Sequence, residues 1–269
     1  MGCAPPRREY PPTPVPGPAL DKLDEIAGWL RNARHVTVLT GAGISTESGI
    51  PDFRGPQGIW TKNPAAEKTA TLQYYMSDPA VRRQAWQNRV NSEMWTAAPN
   101  AAHAALVALE HKHKLHALVT QNVDGLHHAA GQSPEIIIEI HGNVRDAKCM
   151  SCDWRGPMHE TLERVRAGED DPRCTVCGGI LKSATISFGE NLVAADLQRS
   201  QATARRADVF LAIGTSLAVY PAAALPEIAL RNGARLVILN AEETPFDPLA
   251  DAVVRDRLSE ALPALVARV

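Results

Sequence analysis

The 269 residues contain no uninterrupted apolar run near the roughly 20 residues that a helix needs to cross a bilayer. The first residues lack the apolar stretch of a secretory leader and are proline-rich instead. Met1-Gly2-Cys3 opens like a lipidation signal, but Pro6 stands where the myristoylation pattern wants Ser or Thr. Charge of one sign is missing too. Lys and Arg total 28 against 30 Asp and Glu, a formal net charge of -2, which gives no global case for nucleic acid or an anionic membrane. No internal repeat is present, and cysteine is sparse at five residues. With 45% hydrophobic and 22% charged residues, a chain of this length buries a core without disulfide staples. The expectation is a soluble cytoplasmic protein with neither nucleic acid nor membrane as partner.

Seven prolines between Pro5 and Pro18 preclude a helix, so residues 1–18 read as a disordered tail holding the bystander Cys3. Leu20, Leu23, Ile26 and Leu30 have helical spacing. Short apolar runs follow at 36–39, 117–120, 136–138, 209–213 and 236–239, with helical patterns between them at 101–111 and 222–231. Continuous apolar strands alternating with helices predict an α/β fold, a Rossmann-like parallel sheet covered on both faces. The loops after the strands carry glycine or polar residues, and at the carboxyl ends of such a sheet they would converge on one crevice. Residues 60–98 and 147–183 break the alternation. They are read as a helical insertion and a cysteine-bearing module that together make a smaller inserted domain. The sheet domain is then 19–59, 99–146 and 184–269.

Four cysteines form two C-x-x-C pairs, Cys149/Cys152 and Cys174/Cys177. Two such turns brought together offer four thiolates in a tetrahedral set, the pattern of a structural zinc module. Gly178 and Gly179 suit a tight turn after the second pair. The alternatives are two disulfides or four unrelated thiols. A four-thiolate site leaves no open position, so one Zn2+ there would be structural and would replace a core that the insertion is too small to build.

The stretch from Gly41 to Gly55, GAGISTESGIPDFRG, follows the first apolar run and is expected to be a glycine turn opening a helix. Gly41 and Gly43 would let backbone amides approach a pyrophosphate, although Thr46 stands where a third glycine would complete the dinucleotide fingerprint. Alone, the two glycines fit any tight turn equally well. Further along stand Thr120-Gln121-Asn122-Val123-Asp124-Gly125-Leu126-His127, then His141-Gly142, Phe188-Gly189-Glu190, Gly214-Thr215-Ser216-Leu217 and Asn240. Their order, with the cysteine quartet between His-Gly and Phe-Gly-Glu, resembles the sirtuins of bacterial type across about residues 20–265.

The resemblance implies an NAD-dependent protein-lysine deacylase with acyl-lysine proteins as its partners. NAD is the cosubstrate, and its nicotinamide–ribose bond is split. His141 matches the catalytic histidine, a general base on the ribose hydroxyls once nicotinamide has left; a side chain titrating near neutrality suits that task. Asn122 and Asp124 match residues that hold the nicotinamide carboxamide, their alternative being turn formation before Gly125. The resemblance places Gly41, Ala42, Gly43, Ser45, Asp52, Phe53, Arg54, Gln121 and Val123 on the cofactor, with Phe53 covering the ribose. Gly214, Thr215, Ser216, Asn240, Ala241 and Glu242 fall on its adenosine half. Ile186, Phe188, Gly189 and Glu190 match the segment that pairs with substrate backbone.

Two features bear on specificity. Ser183-Ala184-Thr185-Ile186-Ser187 departs from the family's usual proline and aliphatics before Phe-Gly-Glu. Sirtuins that remove acidic acyl groups carry Y-x-x-R, where this chain has Trp86-Gln87-Asn88-Arg89. Arg89 could still pair with an acyl carboxylate, but Trp86 lacks the hydroxyl, so deacetylation is expected over desuccinylation. Rival readings are a protein mono-ADP-ribosyltransferase, a zinc-ribbon binding module that only senses NAD, and a dehydrogenase.

Overall fold

The computed structural model describes residues 20–269 apart from Arg54, Pro56 and Gln57. The expected proline-rich tail, with Cys3, and the expected cofactor contact Arg54 lie outside the described residues. The chain forms β1 (Val36–Thr40), β2 (Leu115–Thr120) and β3 (Ile137–Glu139), then β4 (Gly142–Cys149), β5 (Arg155–Pro157) and β6 (Leu181–Thr185), and closes with β7 (Val209–Ile213), β8 (Arg235–Leu239) and β9 (Ala252–Val254). Its helices up to β2 are α1 (Leu20–Asn32), α2 (Ile59–Lys62), α3 (Leu72–Ser77), α4 (Pro79–Val90) and α5 (Ala101–His111). After β2 come α6 (Leu126–Ala129), α7 (Met158–Arg166), α8 (Ala194–Arg206), α9 (Leu225–Arg231) and α10 (Leu258–Val266).

Six strands make one parallel sheet in the order β3-β2-β1-β7-β8-β9. Side chains alternate across it, and both faces are covered. Val36, Val38, Leu118, Leu211 and Val237 pack on one side against α1, α5 and α10. Leu39, Val119, Phe210, Ala212, Leu236 and Ile238 pack on the other against α8 and α9. Both faces being buried is why these strands read as unbroken apolar runs. The strand order runs outward from β1 in both directions, so the sheet reverses between β1 and β7, and a crevice opens at their carboxyl ends.

A second, antiparallel sheet, β5-β4-β6, follows from the cysteine-bearing segment. Met158, Leu162 and Val165 of α7 pack over it with Trp86 of α4, so the helical segment 60–98 and the cysteine segment share one small core. Arg82 ties them further with a paired contact to Asp171, at 3.0 Å from Nη2, and with donation to the carbonyls of Tyr75 and Met76.

Beyond β4, β5, α8 and β9, which the sequence reading did not give, three places differ from it. After β1 the chain makes two short 3-10 turns, Ala42–Ile44 and Thr46–Ser48, in place of the expected helix. Ser45, Thr46, Ser48 and Pro51 are poor helix propagators, and Gly49 turns left-handed at φ 87, ending the second turn. The helix α7 lies where little periodicity was expected, because its buried face has just three apolar residues, Met158, Leu162 and Val165, beside Thr161. The helix α10 was not anticipated either; Leu258, Leu262 and Leu265 give it a buried apolar face, and Pro263 lies within it.

Candidate active site

The loops after β1, β2, β3, β7 and β8 meet beside β6 in a cleft of about 1360 Å³. A single small-molecule pocket usually holds roughly 300–1,000 Å³. The cleft therefore has room for a dinucleotide and a second substrate together.

The glycines are there because two strand-end loops touch. A Cβ on Gly41 would stand 2.7 Å from the Gly214 carbonyl oxygen, and one on Gly43 would stand 2.8 Å from the Gly214 Cα. The amides of Gly41 and Gly43 donate to the carbonyls of Ile213 (3.0 Å) and Gly214 (2.9 Å). Those two amides join the end of β1 to the end of β7. Gly214 itself sits at φ 60, where a side chain is strained.

The β2 loop is tied into the same floor. Asn122, largely buried, donates its amide to the Gly41 carbonyl (3.1 Å) and Ser45 Oγ (3.2 Å). Ser45 in turn donates to Asp124 Oδ2 at 2.7 Å, and Asp124 Oδ1 accepts from the Leu126 amide. Gln121 Nε2 reaches Thr215 Oγ1 at 2.8 Å. Asn122 and Asp124 are thus held by side-chain and backbone partners from the loop after β1 and from their own loop, so neither is a free turn residue.

His141 follows β3 and lies half-buried in the cleft wall. Its Nδ1 lies 3.1 Å from the Gln121 carbonyl oxygen. A carbonyl only accepts, so Nδ1 carries the proton and Nε2 keeps its lone pair. Burial pushes the imidazole below its ordinary value, and the bond to Gln121 opposes that shift. The arrangement is that of a neutral, oriented base. His127, by contrast, is buried beneath the floor. Burial, with His103 and His128 nearby, pushes it down to about 3, so it stays neutral and structural.

Ala42, Asp52, Phe53, Val123, Ser216, Asn240, Ala241 and Glu242 also line the cleft. Asn240 turns its amide back onto the Glu242 carbonyl, at 2.9 Å. On the opposite wall, Ile186, Phe188, Gly189 and Glu190 follow β6. The Ile186 amide donates to the His141 carbonyl at 2.7 Å, and the Phe188 amide to Ala70 at 2.9 Å.

Two residues fall apart at the acyl end. Trp86 is fully buried in the core of the cysteine module and does not line the cleft. Arg89 does line it. Its guanidinium lies over the Trp86 ring at 5.1 Å and donates from Nη2 to Ser183 Oγ at 2.9 Å. Its buried Nη1 has no hydrogen-bond partner among the described residues.

Sequence reasoning missed Lys182, a cleft-lining lysine that is itself buried. Its Nζ lies 3.1 Å from Glu190, which also meets Lys148 at 2.6 Å and accepts from the Ser187 amide. Burial pushes Lys182 down to about 8, against the pull of Glu190. The only hint was a lysine beside Ile180 and Leu181, and no spacing rule links it to Glu190 or Lys148.

The four cysteines lie outside the cleft lining. Their sulfurs all fall within 4.8 Å of one another, with Cys149–Cys177 at 3.5 Å and Cys152–Cys174 at 3.7 Å. These distances are far too long for disulfides and near the ~3.8 Å edge of a tetrahedron with ~2.3 Å zinc–sulfur bonds. A Cβ on Gly179 would meet Ser151 Oγ at 2.7 Å and Cys149 Sγ at 3.0 Å, so the turn after the second pair needs glycine. The set fits a closed, structural zinc ion.

Fold and site together define a dinucleotide-cleft α/β enzyme with an attached zinc-type module. Residues 41–221 match the Sir2 family. The NAD-dependent protein deacetylase 2 of Streptomyces coelicolor is 52% identical over 231 residues, covering 86% of this chain and 96% of that one. The NAD-dependent protein deacetylase of Sulfolobus acidocaldarius is 43% identical over 250 residues, covering 93% and 96%. Among solved structures, a Sir2 protein with deacetylated p53 peptide and 3'-O-acetyl ADP-ribose superimposes with a TM-score of 0.84 at 35% identity, covering 91% of this chain and 97% of that one. A Sir2–p53 peptide–NAD+ complex gives a TM-score of 0.81 at 35% identity, covering 90% and 96%. The chain belongs to the Sir2 family and is an enzyme of the sirtuin type.

Proposed function

We propose that the cleft binds NAD beside an acyl-lysine side chain and transfers the acyl group from lysine to the ADP-ribose, with acetyl as the main acyl group. The observation that carries this is His141. Its Nδ1 is committed to the Gln121 carbonyl, and its Nε2 lone pair is left for a ribose hydroxyl. In this reading the nicotinamide–ribose bond breaks, the acyl oxygen bonds to the vacated ribose carbon, and His141 takes the proton from a ribose hydroxyl. That hydroxyl then attacks the acyl carbon, and the proton taken by His141 passes to the lysine nitrogen, which leaves as the free amine. Water adds to the remaining acyl bridge between the two ribose oxygens to give O-acyl-ADP-ribose. Asn122 and Asp124, oriented by Ser45, face the departing carboxamide with acceptors, since the Asn122 N–H groups are committed to Gly41 and Ser45 and its Oδ1 is left beside the Asp124 carboxylate. Phe53 covers the ribose, and residues 214–216 and 240–242 hold the adenosine half.

The sheet body 19–59, 99–146 and 184–269 then serves as the cofactor domain. The segments 60–98 and 147–183 form the substrate-side module, which zinc bound by the four cysteines would hold together. Ile186 to Glu190 pair with substrate backbone, so protein acyl-lysines are the partners, and a reducing cytoplasmic setting suits four metal-binding thiolates. The test is mass spectrometry of an acetyl-lysine peptide incubated with NAD. Nicotinamide, O-acetyl-ADP-ribose and unmodified peptide in equal amounts are expected. ADP-ribose attached to protein, without deacetylated peptide, would favour the mono-ADP-ribosyltransferase reading instead.

Arg89 favours a second activity at the same site. A buried guanidinium that lines the cleft with Nη1 unmatched among the described residues would gain from an acidic acyl group. Trp86, buried behind it, leaves the channel open to that choice. Comparing kcat/KM on acetyl- and succinyl-lysine peptides decides it. Succinyl activity within about tenfold of acetyl, lost in Arg89→Met, would support it; absence of succinyl activity would refute it.

A further inference from the structure

Two walls of the cleft are joined by three aromatic rings. Phe53, on the proposed cofactor side, lies 4.8 Å from Trp60 between ring centroids, and Trp60 lies edge-on to Phe188, on the proposed substrate strand, at 5.2 Å. Backbone bonds fix both ends of this row. The Trp60 amide donates to the Phe53 carbonyl at 3.0 Å and the Ile59 amide to the Asp52 carbonyl at 2.9 Å. The Phe188 amide and carbonyl pair with Ala70 and Leu72, each at 2.9 Å, so Phe188 forms a parallel bridge with Thr71 at the start of α3. Phe53 is 41% exposed, leaving one face for a ligand, while Trp60 is half-buried between its two neighbours. Packed rings cannot shift independently without opening a gap or a clash.

We propose that Trp60 is a positioning residue that couples the two substrates, transmitting occupancy of the peptide strand at Phe188 to the placement of Phe53 over the nucleotide. A peptide pairing with residues 186–190 holds Phe188 in place. Phe188 then favours the Trp60 orientation that sets Phe53, so the nucleotide meets a preorganised surface. Linkage makes the effect mutual: the nucleotide tightens peptide by the same factor. The proposal rests on the reading of the cleft as an NAD and acyl-lysine site, but it adds a dependence between the halves that neither half requires.

The test uses the full chain with ADP-ribose and an acetyl-lysine peptide, each titrated alone and with the other saturating. The wild type is expected to show mutual tightening of about fivefold or more. Trp60→Leu is expected to bind either ligand alone within about twofold of wild type while the coupling factor falls toward one, and Trp60→Phe is expected to restore part of it. Undiminished coupling in Trp60→Leu, or absence of coupling in the wild type, overturns the relay alone. A more than tenfold loss of nucleotide affinity in Trp60→Leu without peptide makes Trp60 a direct binding residue and also overturns it. Failure of the wild type to bind either ligand overturns the underlying cleft reading and the relay with it.

Discussion

The role proposed for His141 rests on one hydrogen bond. Donation to the Gln121 carbonyl selects the tautomer, and burial lowers the affinity of the ring for a second proton. His141→Ala should therefore lower kcat/KM by about 10²–10⁴ while leaving peptide affinity and thermal midpoint near wild type. The sign of the pH effect follows from the same shift. The group works when neutral, and its folded value lies below the ordinary 6.5. The acid limb of kcat/KM should lie below pH 6.5, not at or above it; a rate profile from pH 5 to 8 checks this. Ser45 offers a second test at this scale. It bridges Asn122 and Asp124, so Ser45→Ala should slow nicotinamide release by roughly tenfold or more with little change in melting temperature.

At the scale of elements, five of the six parallel strands were legible, whereas β9, the antiparallel sheet and the form of the loops were not. Val209–Ile213 has the bounds read from sequence, because a strand buried on both faces has to be continuously apolar. The turn after β1 was not legible as 3-10, since glycine spacing shows that backbones come close but not which partner they meet. Here the partner is Gly214, far away in sequence. Trp86 illustrates the same limit. α4 has a weakly marked apolar face, so spacing could not tell whether Trp86 pointed to the cleft or to the cysteine core, and burial decided for the core. Lys182, Glu190 and Lys148 come from β6, the loop beyond it and β4, and only the folded register brings them together.

Helix α6 supplies a prediction of its own. His127 donates to Thr40 Oγ1 at 3.0 Å, and Thr40 to Thr120 at 2.8 Å, beneath the catalytic floor. Its folded value is about 3 against an ordinary 6.5, so the unfolded chain takes up a proton first as pH falls. The stability associated with neutral His127 is complete above pH 6.5 and is lost progressively between there and about 3. Melting temperature should fall across that acid window, and less steeply in His127→Leu. An equal slope in both proteins would place the acid sensitivity elsewhere.

For the whole molecule, the division of labour is between a sheet that builds a cleft and a small body that closes one side of it. The small body has a modest core, Trp86 with parts of α7, β4 and β6, and the sulfur quartet stands at its end. Metal binding there should contribute directly to folding. Chelation, or Cys174→Ser, should loosen residues 147–183 in hydrogen exchange before the parallel sheet opens, and peptide affinity should fall before nucleotide affinity. Simultaneous opening of both bodies would contradict that order. The sequence carried much of this plan. Cysteine spacing marked the quartet, and polar residues after apolar runs marked the cleft, because both features depend on local chemistry. The aromatic row and the lysine clamp depend on tertiary contact and had no local sign.

The most direct test of the account is a crystal structure of the chain with ADP-ribose and an acetyl-lysine peptide. The dinucleotide should lie across the carboxyl ends of β1 and β7, with His141 Nε2 within about 2.6–3.2 Å of a ribose hydroxyl. A nucleotide bound elsewhere, or an imidazole turned away from the ribose, would contradict it.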